Sequence, residues 1–430
     1  MEQKHLSRRA QWAGRQKIGY LMQQGVDFPD CLSLAAGLVD YATLPSDLVR
    51  KTADQLLLDP ARQKSVLQYG TTPGSLELRT RLCQHLAELD GVSVAQQNFG
   101  VEQVFATTGS QQFLDLVTQA VCDPGDIVLV TAPSYFVYLS TLEGIGCELV
   151  PVTCDEEGIC VAALDEALSA LEAAGKLPRV KILYLVSYFD NPRGSTLGEA
   201  RRREILDCLD RWLKKQFIYL LEDAAYRELW FDSPPPPSFL QLDSNPDRVI
   251  YTQTFSKCLS PGLRTAFGIV PPALVKAFDD LKSIHDFGSP NFSQAILLEL
   301  LKTGGYHEHV ADLRQAYREK GLTLFHALEN SGLLSGQATA RAPEGGLYVW
   351  LQLNDSGITT GFEDQLFRTA AQDFQVMYVP GELFYADSTN PEARLTMRLS
   401  YGVQPTGKLA TGIERLAGAI QAVAGQPQVQ

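Results

Sequence analysis

The segment Thr254-Phe-Ser256-Lys257-Cys-Leu-Ser260-Pro-Gly262-Leu-Arg264 sets a lysine and an arginine seven positions apart among serines, in an otherwise acidic chain. An amine of this kind can condense with an aldehyde, and a guanidinium beside hydroxyls can hold a phosphate. The pattern therefore suggests an anionic cofactor, with a solvated loop lysine as the competing reading. Four further segments could carry chemistry. Thr107-Thr-Gly-Ser-Gln-Gln112 opens a helix with small polar residues, which suits either a phosphate at the free backbone N–H groups or an ordinary N-cap. In Ala132-Pro-Ser-Tyr135, the aromatic ring could stack on a planar ligand or belong to the core. Asn191-Pro192, followed by Gly194, fits a tight turn. Glu222-Asp223-Ala-Ala-Tyr226 places carboxylates at the end of an apolar run, where a buried charge needs a partner or a capping role.

These segments share one feature: each directly follows a short apolar stretch. The candidate strands are Val104–Ala106, Ile127–Thr131, Cys147–Val152, Ile182–Val186, Phe217–Leu221, Val249–Thr252 and Ala266–Val270. Their near-continuous apolar character is that of strands buried on both faces. Amphipathic helices lie between them, such as Gln111–Val121, and Thr196-Leu-Gly-Glu199 reads as a capping box opening another. Strand–helix alternation predicts an α/β fold, with a mainly parallel seven-stranded sheet between helices. Open sheets of this kind bind ligands beyond the carboxyl ends of their strands, where all the segments above fall. After a helical stretch near Phe292–Lys320 the pattern becomes α+β, with strands Leu347–Leu351, Val376–Val379 and Leu395–Ser400 and a last helix from about Lys408. The expected division is an N-terminal segment and part of a small domain (1–48), a large domain (49–315) and a C-terminal small domain (316–430).

Bulk properties narrow the class. The 430 residues are 45% apolar and 20% charged, as in an ordinary folded protein, and the net charge of −13 argues against nucleic acid or an anionic membrane as partner. No apolar run of membrane-spanning length occurs, and the basic N-terminus lacks the apolar stretch of a secretory signal. The eight scattered cysteines form no C-x-x-C pair and read as reduced thiols, so a cytoplasmic location is expected. Gly144-Ile-Gly146 lacks the third glycine of a dinucleotide fingerprint. His307 and His309 have no matched ligand set, so no metal is expected.

Taken together, the segments supply in sheet order what pyridoxal 5'-phosphate needs: an amine, a carboxylate for the ring nitrogen, donors to the ring oxygen and a phosphate cradle. From about Ser33 to Val423 the chain resembles the fold-type I, pyridoxal-phosphate-dependent aminotransferases of class I/II. Beyond the segments already quoted, the likeness rests on Tyr69-Gly-Thr-Thr-Pro-Gly-Ser-Leu-Glu-Leu-Arg79, Gly345-Gly-Leu-Tyr-Val-Trp350, Val379-Pro-Gly-Glu-Leu-Phe384 and Met397-Arg398-Leu-Ser-Tyr401. The resemblance implies that Lys257 holds the cofactor as a Schiff base and shuttles the substrate's proton, and that Asp223 pairs with the ring nitrogen. It implies that Asn191 and Tyr226 bond the ring oxygen, that Ser110, Gln111, Ser256 and Arg264 hold the phosphate, and that Tyr135 stacks on the ring. It assigns the substrate α-carboxylate to Arg398, with the Gly37 backbone and Asn191 close by. Tyr69 would reach the phosphate of a neighbouring subunit, which implies a homodimer.

Ser33-Leu-Ala-Ala-Gly37, Gly109-Ser-Gln-Gln112 and Val379-Pro-Gly-x-x-Phe-Tyr385 most resemble the kynurenine/2-aminoadipate and aromatic aminotransferase branch, in which a mobile N-terminal segment covers the substrate; the corresponding stretch is Gln11–Tyr20. Arg193, Ala224-Ala225, Ala36 and Val39 depart from the family pattern, and Arg193 stands either near the cofactor's edge or in solvent. The expected reaction moves an amino group from an L-amino acid to a 2-oxo acid. The alternative keeps the cofactor but ends in β-elimination, decarboxylation or cyclisation. A non-catalytic regulator with this fold is not expected, because about 30 residues precede the likeness, too few for a DNA-binding domain.

Overall fold

The computed structural model describes residues 5–13, 19, 28, 30–354, 357–387 and 389–425. Its central sheet runs, in spatial order, Val104–Thr107, Ala266–Ile269, Val249–Thr254, Tyr219–Asp223, Val180–Val186, Ile127–Ala132, Glu148–Asp155 and Gly158–Ile159. All seven expected strands form, and Gly158–Ile159 adds an eighth, antiparallel to its neighbour at the edge. Ala266–Ile269 runs antiparallel to both neighbours, and the pairings between Tyr219–Asp223 and its neighbours are parallel. Val104–Thr107 and Val249–Thr254 are buried along their whole length, which is why their sequences read as unbroken apolar or small-polar runs. Glu148–Asp155, near the edge, alternates with solvent-facing residues instead.

Helices cover both faces. Ser110–Val121 packs on the Val249–Thr254 and Ala266–Ile269 strands. Gly268 allows this close approach, since a Cβ there would stand 2.1 Å from the Phe113 ring. The helix after Thr196 starts at Glu199 with Gly198 as its N-cap, so the expected capping box does not form. The Thr196 hydroxyl instead accepts the Phe189 N–H at 3.0 Å, fastening the loop after Val186. The helical stretch near Phe292–Lys320 is two helices, Asn291–Thr303 and Gly305–Asn330, divided at Gly304, whose φ of +82° a helix cannot continue.

A second, antiparallel sheet has the order Ala338–Ala340, Tyr348–Leu353, Thr396–Ser400, Val379–Pro380. The expected strand Val376–Val379 divides: Val376–Met377 pairs in parallel with Leu32–Ser33, and Val379–Pro380 pairs with Thr396–Ser400. Both chain ends thus build the smaller α+β body, which Thr406–Ala424 completes by packing on Gly305–Asn330. Of the expected covering stretch Gln11–Tyr20, only Gln11–Ala13 and Gly19 fall among the described residues. Gln11–Ala13 end the short helix Arg8–Ala13, which packs against Phe136–Ile145. No described helix is long and apolar enough to cross a membrane.

Candidate active site

The carboxyl ends of five strands open onto one cavity of about 180 Å³, lined by Ser110, Gln111, Tyr135, Asn191, Asp223, Tyr226, Ser256, Lys257 and Arg264 among others. Strand ends gather them because residues after parallel strands emerge on one side of the sheet. Ten-odd residues scattered over more than 150 positions thereby share one space.

The phosphate-type corner forms where Gly109 (φ +79°) turns the chain into the Ser110–Val121 helix, leaving its first N–H groups free. A Cβ on Gly109 would lie 2.5 Å from Arg264 Nη2, so the absence of a side chain is what admits the guanidinium. Arg264 Nη2 donates to the Thr108 carbonyl at 3.2 Å. Ser256 is held by Thr254, whose hydroxyl donates to Ser256 Oγ at 3.0 Å. Gln111 Nε2 donates to Thr141 Oγ1 at 2.7 Å, while its Oε1 is buried without a partner among the described residues.

The deep wall carries Asp223, which is 3% exposed. The Tyr184 hydroxyl donates to its Oδ2 at 3.0 Å and the Ala225 N–H to its Oδ1 at 3.2 Å. Burial still prevails over those donors and pushes its carboxyl up to about 6. Its neighbour Glu222 faces the other way, where it accepts from Arg202 Nη1 at 2.6 Å and from Ser187 Oγ at 2.6 Å. Burial also raises Tyr135 and Tyr226 well above a tyrosine's ordinary value, so both are neutral hydroxyls.

The mouth of the cavity joins the two bodies. Lys257 Nζ donates to the Gly37 carbonyl at 2.8 Å. Arg398, only 3% exposed, donates to Asn191 Oδ1 and the Ala35 carbonyl, each at 2.8 Å, and its Nε has no partner among the described residues. Its guanidinium lies 4.2 Å over the Tyr348 ring, and it forms no ion pair among the described residues. Tyr348 Oη stands 3.1 Å from Tyr226 Oη. Burial opposes ionisation of Tyr348, but Arg398, Lys257 and the Tyr226 hydrogen bond together bring it below a tyrosine's ordinary value. A Cβ on Gly37 would approach Tyr348 Oη to 2.8 Å, so glycine keeps this junction open.

Residues 29–413 match the family described as Aminotransferase class I and II. The chain belongs to that family. It is 33% identical over 396 residues to aromatic-amino-acid aminotransferase 1 of Thermococcus litoralis, covering 92% of this chain and 89% of that protein. It is 33% identical over 395 residues to the 2-aminoadipate transaminase of Thermus thermophilus, covering 91% of each. The crystal structure of Pyrococcus horikoshii kynurenine aminotransferase in complex with PMP, kynurenine and its product superposes with a TM-score of 0.87 at 31% identity, over 98% of both chains. This aminotransferase is therefore an enzyme that transfers amino groups and uses pyridoxal phosphate. Its cavity suits that group on three counts: a buried carboxylate with no cation partner and a Gln111 Oε1 with no partner, both among the described residues, and a helix N-terminus with Arg264 tucked against a glycine.

Of the residues singled out in the sequence, Tyr69 stands apart from the aminotransferase's cavity. It is 79% exposed and meets the Phe287 ring edge-on at 5.5 Å. Arg193 points neither to the cavity nor free into solvent; it donates to the Asp155 carbonyl beside Trp350 and Gln352. Sequence reasoning passed over Tyr184 and Tyr348 as site residues. Tyr184 sits two positions before the end of its strand, the alternation that puts it on one face with Val186, but nothing in sequence says which face holds the ligand.

Proposed function

We propose that this aminotransferase moves the amino group of an aromatic or 2-aminoadipate-like L-amino acid to a 2-oxo acid such as 2-oxoglutarate. The observation that carries the reading is Arg398: a buried guanidinium with no carboxylate partner among the described residues and an unpartnered Nε. A buried cation left so is costly unless a ligand anion completes it, and a substrate α-carboxylate fits a fork of N–H donors. The substrate range follows the names of the relatives.

Pyridoxal phosphate, when bound, supplies the electron sink that makes the substrate's Cα–H acidic. Asp223 would hold a proton on the ring nitrogen, and Tyr226 with Asn191 would bond the ring oxygen. Ser110, Gln111, Ser256 and Arg264 would hold the phosphate, Tyr135 would stack on the ring, and Lys257 Nζ would take the proton from Cα. Arg398, with Asn191 and the Gly37 backbone, fixes the carboxylate so that the Cα–H bond faces Lys257. We place the large, cofactor-holding domain at 49–315, flanked by 1–48 and 316–430. A homodimer is the working unit: Leu67, Tyr69, Ile284 and Phe287 expose large apolar surface, and Tyr69 is free to reach a partner's phosphate. A cytoplasmic setting accords with eight unpaired cysteines.

A panel of amino donors, tested one at a time without acceptor, distinguishes transamination from its rival. A transaminase converts its cofactor stoichiometrically to pyridoxamine phosphate and stops until a 2-oxo acid is added. Turnover on a single amino acid with release of ammonia or carbon dioxide would overturn the proposal.

A further inference from the structure

The helix Leu76–Asp90 carries His85 and Glu88 three positions apart, hence on one face, and His307 near the start of Gly305–Asn330 faces them. One ligand-capable atom from each of the three lies within 4.8 Å of the others. The fold thus supplies for His307 the ligand set that its sequence neighbours lack. His309, its near neighbour, is not part of the cluster.

The state of His85 is fixed from behind. Its Nε2 is 3.0 Å from Glu228 Oε1, and Gln253 Nε2 and the Tyr306 hydroxyl both donate to that same oxygen at 2.6 Å. A carboxylate oxygen can only accept, so Nε2 carries hydrogen and a neutral ring has its lone pair on Nδ1. That Nδ1 is buried and has no partner among the described residues. A carboxylate gripping one imidazole nitrogen while the other is free is the arrangement that orients histidine ligands of metals. Glu88 is likewise half committed: Arg81 Nη1 donates to its Oε1 at 2.8 Å, while Oε2 lies 3.4 Å from His307 Nε2.

We propose that His85, Glu88 and His307 form a binding site for one divalent transition-metal ion of the zinc type, clamping the two helices together. Two imidazoles and a carboxylate suit such an ion, and they disfavour the all-oxygen preference of Mg²⁺ and Ca²⁺. Donors on a zinc tetrahedron are about 3.3 Å apart, so closure requires only small side-chain rotations. His307 and Glu88 can supply them, being 42% and 50% exposed in their side chains, and the same opening admits the ion and a fourth, water ligand. The site stands apart from the cofactor cavity but is tied to it. Glu228 follows Tyr226 by two positions, and the Tyr306 hydroxyl lies 3.0 Å from the Sγ of Cys258, next to Lys257.

The test uses chelator-treated, cofactor-loaded enzyme. Equilibrium dialysis against Zn²⁺ is expected to show one tight site per chain, and Co²⁺ to develop the visible bands of a low-coordinate nitrogen–oxygen site. His307→Ala and Glu88→Gln each should weaken that site at least as much as the roughly 10–100-fold caused by loss of an outer partner. Zn²⁺ should raise the melting temperature of the parent enzyme and not of His307→Ala, and Mg²⁺ should shift neither. These exposed positions avoid the folding risk of altering buried His85. Equal Zn²⁺ affinity in parent and His307→Ala, or no stoichiometric site in the parent, would overturn the proposal.

Discussion

Asp223 sets a measurable debt in the enzyme stripped of its cofactor. Burial raises its carboxyl from an ordinary 3.8 to about 6, against the Tyr184 and Ala225 donors. At about 1.4 kcal/mol per pKa unit, the ionised side chain therefore destabilises the cofactor-free fold by about 3 kcal/mol. The sign follows from proton linkage. A carboxyl raised in the native state binds its proton more tightly there than in the unfolded chain, so its stabilising effect is complete below about pH 4 and is lost as pH rises through about 6. Asp223→Asn removes the charge and can keep both hydrogen bonds: Oδ1 still accepts the Ala225 N–H, and the Tyr184 hydroxyl turns to accept from Nδ2. Cofactor-free Asp223→Asn should thus be more stable than the parent by up to about 3 kcal/mol at pH 8, with the difference closing by about pH 4. At about 2.1 cal/mol/K of unfolding entropy per residue, that is a rise of roughly 3 °C in Tm. Urea titrations of both proteins from pH 4 to 8, at one protein concentration, provide the measurement. With cofactor present the order should reverse in function: the variant loses the anion that keeps the ring nitrogen protonated. A cofactor-free variant no more stable than the parent at pH 8, or a gap of equal size at pH 4, would refute the reasoning.

Lys257→Ala should lose at least the roughly 10²–10⁴-fold that one positioned acid–base group contributes; substantial steady-state turnover by the loaded variant would remove Lys257 from the proposed role. Arg398→Lys keeps the charge but not the fork, and should lower kcat/KM roughly 10- to 100-fold, mainly through KM for both amino and oxo acids; an unchanged KM would move the carboxylate site elsewhere. Tyr69→Phe should weaken cofactor binding roughly tenfold, and mixing it with Lys257→Ala should give hybrid dimers with one intact site. Hybrid dimers, with subunit exchange verified, whose Lys257-bearing site holds cofactor no tighter than Tyr69→Phe homodimers would count against a shared site.

The central sheet was legible because its inner strands are buried on both faces, which writes an uninterrupted apolar run into sequence. The same logic brought the candidate residues together, since segments after parallel strands emerge on one side of the sheet and line one cavity. Features that depend on non-local geometry were not legible. Gly158–Ile159 is too short to make a pattern and exists only because it folds back on Cys154 and Asp155. The capping box at Thr196 satisfied a local rule, but the Thr196 hydroxyl accepts the Phe189 N–H and the helix starts only at Glu199. Tyr348 lies in a strand of the smaller sheet, and only the docking of that sheet brings its hydroxyl to Tyr226.

Glu222 and Asp223 show where sequence stops and structure decides. Both are acidic, both are buried, and they are adjacent, so composition cannot rank them. Strand alternation sends them to opposite faces. Glu222 meets the fully buried Arg202 and is neutralised inside the fold, which makes it part of the scaffold. Among the described residues Asp223 meets neutral donors and no cation. Arg398 is its counterpart in the other body: a buried cation given carbonyl and amide oxygens but no carboxylate among the described residues. Asp223 and Arg398 are not paired with each other. On the proposed reading, the space from Asp223 to Arg398 takes a cationic ring nitrogen at one end and a carboxylate at the other, the charges of a protonated pyridine cofactor joined to an amino acid. On that reading, the ligand completes each charge that the protein leaves incomplete.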